Sequence, residues 1–153
     1  MLKSEILNEN TGTPIYSANV LQPFGYTHNQ FLKDFSKDSV LWGIDGDWMV
    51  NLITAGVPFY PTDHCGVIRV KAEGIHPRYL AMALEKEGHR VRFSRSNRAK
   101  TEAIKSLKLY FPPMDAQENL AAIANQAEHT IATAQAIIDA APAQKEAILK
   151  KYL

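Results

Sequence analysis

The sequence predicts an α+β protein, in which a twisted, mostly antiparallel sheet with one packed helix precedes a long C-terminal helix. Short runs rich in β-branched and aromatic residues, separated by glycines and prolines, fill residues 14–71. One amphipathic segment follows at residues 77–86, and an alanine-rich, glycine-poor run extends from residue 115 to the end. We therefore expect a globular domain at residues 1–113 and a separate helical element at residues 114–153.

Four strands are expected ahead of the first helix. Residues 14–20 predict the first of them. Residues 39–44 and 48–53 predict two more, joined by Asp45-Gly46-Asp47, because Asp and Gly tolerate the backbone angles of a tight hairpin turn. Residues 65–71 predict the fourth.

The first helix is expected from Pro77 to about Lys86, since proline suits a first helical turn and Gly88 is a stop signal. A fifth strand is predicted at residues 107–111, where apolar and polar side chains alternate.

Two prolines, Pro112 and Pro113, end that strand, because neither can donate a hydrogen bond to a neighbouring strand. Asp115 then offers an N-cap oxygen, and Glu118 three residues later completes a capping box. A long C-terminal helix is therefore expected to begin at Asp115.

That helix carries a coiled-coil pattern. From Gln117 onward, small and apolar residues recur at alternating spacings of three and four, and they include Leu120, Ala127, Ile131, Ala134 and Ile138. We expect this edge, the seam, to pair with a helix of a partner or of a second copy. The alternative is an amphipathic helix folded back on its own domain. Pro142 removes a helical hydrogen bond, so a kink or break is expected near residues 139–141, giving helices at 115–140 and 143–152.

Charge is unevenly distributed along the 153 residues. Residues 1–63 hold three basic and seven acidic side chains, a net charge of −4, whereas residues 86–108 hold eight basic and two acidic ones, a net charge of +6. The lone Cys65 excludes an intramolecular disulfide and fits a reducing compartment. No apolar run approaches the length of a membrane span. A soluble, cytoplasmic protein without a membrane partner is expected.

The basic segment, residues 88–100, is the strongest functional signal in the sequence. Guanidinium groups can bind phosphate or a guanine edge, Asn can pair with adenine, and Ser can bind phosphate. Such a run can also be only a solvated face, but its preference for Arg over Lys favours an anionic partner, above all double-stranded DNA. The candidate DNA-binding residues are Arg90, Arg92, Arg95, Ser96, Asn97, Arg98 and Lys100.

Catalytic chemistry finds less support. Asp45, Asp47, Asp63 and His64 could form a metal or acid–base cluster, but the first two fit a turn. Asp63 and His64 are adjacent, so in a strand they would point to opposite faces. Cys65 with His64 or His89 could form a nucleophile pair, although a buried free cysteine is commoner. With no glycine-rich cofactor loop either, we expect no cofactor, no metal and no catalytic residues.

Several segments together resemble the target-recognition domain of type I restriction–modification specificity subunits. They are GTPIYSANVLQPFGY, LWGIDGDWMVN, PTDHCGVIRV, SRSNRAKTEAIKSLKLYFPPMDAQENLAAIA and KEAILKKYL. The order of strand, diproline, two residues, Gln117 and helix is the most specific element. The resemblance implies a non-catalytic component that reads one half of a split DNA target and directs an adenine methyltransferase, and in some systems a nuclease. It also implies that residues 88–100 contact DNA and that the C-terminal helix is a spacer.

The chain has one recognition domain and one spacer helix, whereas a standard specificity subunit of this family has two of each. This suits a half-subunit that forms a homodimer, or the C-terminal recognition domain of a fused methyltransferase. The other functions left open by the residues are a helical interaction module whose basic segment binds an acidic protein, and, more distantly, a small hydrolase using Asp45, Asp63 or His64.

Overall fold

The strands form two small sheets rather than one. The computed structural model describes residues 6–7 and 11–152. Within them, one sheet contains β1 (Thr13–Tyr16), β2 (Gly25–Thr27) and β5 (Tyr60–Pro61), in the order β2-β1-β5. The other contains β3 (Ser39–Gly43), β4 (Val50–Ile53) and β6 (Cys65–Ile68), in the order β4-β3-β6. The pairing is antiparallel except between β1 and β5. The α+β class is confirmed.

The hairpin expected around Asp45-Gly46-Asp47 is present as β3 and β4, with Trp42 opposite Val50 next to the turn. The other two early strands are shorter than expected, because β1 ends at Tyr16 and β6 ends at Ile68. The β3 strand lies in the middle of its sheet and is buried along its whole length. It therefore provides a rigid base for the turn that follows it.

Side chains alternate across β3 and fill two apolar clusters. Val40 and Trp42 pack in one cluster with Leu80 and Leu84 of α1 (Pro77–Arg90). Leu41 packs in the other, whose further members are Val20, Ile53, Phe59 and Cys65. The hairpin is thus enclosed on both sides.

Gly88 does not end the first helix, contrary to expectation. It lies inside α1, where a Cβ atom would come within 2.1 Å of the Trp48 ring. The Trp48 indole nitrogen also donates to the Glu85 carbonyl, at 2.9 Å. Glycine therefore permits the helix to approach the Trp48 ring closely, and the expectation failed because this contact is not local in sequence.

No strand forms at residues 107–111, and this prediction is wrong. The segment follows the short α2 (Thr101–Lys105) and pairs with none of the described strands. The alternation is nevertheless real, because Leu107, Leu109 and Phe111 pack against the cluster around Trp42 while the residues between them are exposed. The alternation indicates that one side of the segment is buried. A segment that pairs with no strand can show the same alternation as a β-strand does.

The last helix, α3 (Met114–Tyr152), begins one residue earlier than expected. The Pro113 carbonyl accepts hydrogen bonds from the backbone N–H groups of Ala116 and Gln117, at 3.0 and 3.2 Å. Asp115 is therefore a first-turn residue and not the N-cap. In that position its carboxylate still interacts favourably with the partial positive charge at the N-terminal end of the helix.

The expected break at Pro142 does not occur. The helix α3 is continuous over 39 residues with Pro142 inside it. A proline removes a single N–H donor, and the hydrogen bonds on either side of it can maintain the helix.

By its contacts the chain divides into two compact units, Met1–Gln117 and Glu118–Leu153. The functional division at residues 113 and 114 stays a prediction.

Candidate nucleic-acid interface

The basic segment begins on the last turn of α1 and continues as irregular chain. Arg90 is still helical, and its Nε donates to the carboxylate of Glu87 one turn earlier, at 2.9 Å. This hydrogen bond lowers the pKa of the half-buried Glu87 carboxyl. Arg90 is thus already paired on the protein surface, unlike several of the cations that follow it.

Two buried residues fix the irregular part of the segment. The Phe93 ring lies 5.0 Å from the Trp48 ring, centroid to centroid, and the Phe93 N–H donates to Gly88 at 3.0 Å. The Ala99 N–H donates to the Ile44 carbonyl at 3.1 Å, and the Trp42 indole N–H donates to the Ala99 carbonyl at 2.8 Å. Both ends of residues 93–99 are therefore attached to the buried core.

Between these anchors the chain forms a tight turn. The Ser94 N–H donates to the Asn97 carbonyl at 2.9 Å, and the Asn97 N–H donates to the Ser94 hydroxyl at 3.2 Å. The Asn97 side-chain amide donates to the carbonyls of Val91 and Arg92, at 3.1 and 3.3 Å. These bonds hold Arg92 at a φ of 58°, a region that side-chain-bearing residues rarely adopt.

The turn presents its polar side chains to solvent. Arg92, Arg95, Ser96, Asn97, Arg98 and Lys100 are all exposed. Within residues 6–7 and 11–152, Arg92, Arg95 and Lys100 make no ion pair. The structure therefore brings six of the seven predicted residues together within residues 91–100, which we call the basic turn. Asn97 uses its amide donors within the turn, and base contact by any of these residues stays a prediction.

One acidic residue connects the turn to the rest of the domain. One Asp45 carboxylate oxygen contacts Nε of Arg98, and the other contacts Nδ1 of His64. The pKa of the Asp45 carboxyl is lowered, chiefly by the hydrogen bond from His64 and further by Arg98. Sequence analysis favoured a turn role for Asp45 and grouped it with His64 only in the alternative acid–base cluster. Its contact with Arg98 was not predicted, because nothing local to Asp45 indicates that partner.

The structure also places the candidate catalytic residues. Asp63 and His64 precede β6 instead of lying within a strand, and His64 Nε2 is 3.8 Å from Asp63. Among the described residues, no three or more His, Cys, Asp or Glu side chains are grouped as metal ligands would be. Burial raises the pKa of the Cys65 thiol to about 12, so the thiolate nucleophile is scarce near neutral pH.

A cleft of about 740 Å³ lies beside His64. Its walls include Phe24, Phe31 and Tyr60, and the first two are largely exposed to solvent. The Phe31 and Tyr60 rings lie 5.9 Å apart, centroid to centroid. Sequence reasoning did not identify this cleft, since it is formed by loops that are separated along the chain.

The five predicted interface residues of α3 are exposed, namely Leu120, Ala127, Ile131, Ala134 and Ile138. Exposure reaches 67% for Ile131 and 62% for Ile138. A contiguous exposed apolar patch, rather than a single exposed side chain, is typical of surfaces that a partner covers. In the part of the chain that is described, no helix is both long enough and apolar enough to cross a membrane.

Known proteins resemble this chain in sequence and in fold. One protein of Mycoplasma pneumoniae named as a type I specificity subunit is 29% identical over 129 residues, which are 79% of this chain and 51% of that protein. Another is 28% identical over 131 residues, which are 78% of this chain and 33% of that protein. The chain thus spans about half or less of the length of these relatives.

The crystal structure of the S subunit of a type I restriction–modification system from M. genitalium has the same fold. The TM-score is 0.66 at 15% identity, over 99% of this chain and 40% of that one. Residues 1–142 match the family described as the type I restriction modification DNA specificity domain. The names of the relatives agree with a recognition component rather than an enzyme. The chain belongs to the family of type I restriction–modification DNA specificity domains.

Proposed function

We propose that this chain recognises a specific sequence in double-stranded DNA through residues 91–100. The observation that carries the proposal is the anchored turn, which exposes Arg92, Arg95 and Lys100 without ion-pair partners in the described chain. Unpaired cations attract phosphates, and attachment at Phe93 and Ala99 limits the entropy lost on binding.

The recognition role is assigned to residues 1–113, and a spacer role to residues 114–153. The exposed seam of α3 gains stability when another helix covers its apolar side chains. Its proposed partner is either a helix of a DNA methyltransferase or the seam of a second copy. In the first case, this chain directs the methyltransferase to an adenine of the DNA target. Because the chain spans only about half of its relatives, two copies would supply two recognition domains. The cytoplasm is the proposed site of this function.

The first test removes the cations. Arg92, Arg95 and Arg98 are replaced together by Ala. Binding is measured over a range of salt concentrations, with a target duplex that the wild-type chain has selected from a library of random sequences. Each lost phosphate contact reduces the magnitude of the log–log salt slope by about 0.9, so we expect a shallower slope and binding too weak to detect near physiological salt. The fold should be retained, since these side chains are exposed.

The matched control removes the same charge elsewhere. Lys33, Lys37 and Lys71 are also exposed, and replacing all three by Ala should leave DNA binding close to wild type. A folded arginine variant that binds its target as the wild type does would refute the DNA role of the turn. Binding that depends on the turn but is equal for all duplexes and for acidic proteins would instead support the generic interaction module.

A further inference from the structure

Arg98 is the most constrained cation of the turn. Its backbone leads directly into Ala99, which is buried and hydrogen-bonded through both its N–H and its carbonyl group. Its side chain is held at Nε by Asp45, which is in turn held by His64. Arg98 therefore loses little conformational freedom when it binds a ligand, unlike the unpaired Arg92 and Arg95.

The ion pair also changes what Arg98 can attract. The Asp45 carboxylate offsets the charge of the guanidinium, which weakens its attraction for phosphate. Among the described residues, the two terminal amino groups of Arg98 make no hydrogen bond, and the side chain is 45% exposed. Within the described chain, the Arg98 side chain has no other ion-pair or hydrogen-bond partner. An uncharged ligand with two adjacent acceptors fits such a group better than a phosphate does.

We propose that Arg98, held by Asp45, reads a guanine of the DNA target, while Arg92, Arg95 and Lys100 hold phosphates. A guanidinium group only donates hydrogen bonds. In the major groove guanine presents two neighbouring acceptors, N7 and O6, whereas adenine presents one acceptor and one donor. The proposal rests on the DNA-recognition function above and adds the base that is read. Asp45 and His64 are then positioning residues.

The experiment begins by selecting bound sequences from a library of duplexes with a randomised central segment, using the full chain. Each guanine of the selected sequence is then replaced by 7-deazaguanine, which lacks the N7 acceptor. We expect one guanine at which this replacement weakens binding about tenfold or more, as for the loss of one good base contact. In Arg98→Ala the same replacement should have no further effect.

Two other variants separate base reading from phosphate binding. Arg92→Ala should weaken binding to all duplexes alike and reduce the magnitude of the salt slope by about 0.9, with the 7-deazaguanine effect unchanged. Asp45→Asn frees the charge of Arg98. It should therefore steepen the slope by up to about 0.9 and shrink the 7-deazaguanine effect. If Asp45 only supported the fold, its loss would not steepen the slope.

Different failures have different meanings. If Arg98→Ala keeps the wild-type preference for every guanine, Arg98 does not read the base, although the recognition function stands. If Arg98→Ala fails to fold, Arg98→Lys replaces it, because lysine keeps the charge but cannot bind two acceptors as a fork. An unchanged guanine preference in that variant would equally overturn the proposal. If the wild type selects no sequence, the recognition function itself fails, and this inference fails with it.

Discussion

At the scale of single residues, Gln117 shows how one side chain can hold several segments together. It is completely buried, and its Oε1 accepts the His76 N–H at 3.0 Å. Its Nε2 donates to the carbonyls of Gly74 and Pro112, at 2.9 and 2.7 Å. The side chain thereby joins the start of α1 to the chain that enters α3.

Replacing Gln117 by Leu should destabilise the protein by about 2–5 kcal/mol. The change removes a partner from the N–H of the half-buried His76 and from the carbonyl of the half-buried Pro112, and each such group costs about 1–3 kcal/mol unless water reaches it. The carbonyl of the exposed Gly74 can bind water instead. Urea unfolding of the full chain, followed at the transition of its Met1–Gln117 unit, measures the effect. We expect a lower midpoint with an unchanged m-value. Gln126→Leu, at an exposed position of α3, is the control and should shift the midpoint little. Equal midpoints for the two variants would contradict this role of Gln117.

Gln117 also shows where sequence reasoning reached its limit at this scale. Its place after the diproline was correctly singled out, but its 3–4 spacing grouped it with the exposed seam. The run of arginines likewise predicted the basic turn. The contacts that anchor this turn were not predicted, because Trp42 and Ala99 are 57 residues apart in the sequence. Periodicity detects which residues share a face of one element, and it cannot detect hydrogen bonds between distant segments.

At the scale of elements, local signals identified most segments but not always their boundaries. The hairpin of β3 and β4 was predicted because its turn chemistry and alternation are both local. The helix α1 was predicted too short, since Gly88 serves the contact with Trp48. Residues 107–111 were predicted as a strand because burial on one side gives the same alternation with or without a paired neighbour.

Pro142 offers a test of how strongly α3 is held in its last third. A proline inside a helix costs about 3 kcal/mol relative to alanine, so Pro142→Ala should make residues 139–152 more helical and more slowly exchanging. Amide hydrogen exchange of those residues in the wild type and the variant is the measurement. Ala136→Ser, an exposed change in the middle of the helix, is the control and should alter exchange little. If protection does not rise in Pro142→Ala, the proline does not limit this part of the helix.

At the scale of the whole molecule, the chain carries two surfaces of opposite character. The turn at residues 91–100 is charged and anchored to a buried core, which suits a polyanion. The seam on α3 is apolar and exposed along several turns, which suits another helix. The family was predicted from the order of its segments, whereas a helix partner for the seam stays a prediction.

The last prediction concerns that partner. Ile131 and Ile138 occupy equivalent heptad positions and are 67% and 62% exposed in the single chain. If another helix covers them, Ile131→Asp or Ile138→Asp buries an unpaired carboxylate and should disrupt the assembly, whether a homodimer or a complex with a methyltransferase. Sedimentation of the chain with and without the methyltransferase measures this, while circular dichroism checks that the fold is kept. Ala132→Asp, on another face of the helix, is the control. Unchanged assembly in both isoleucine variants would show that the seam is not the interface.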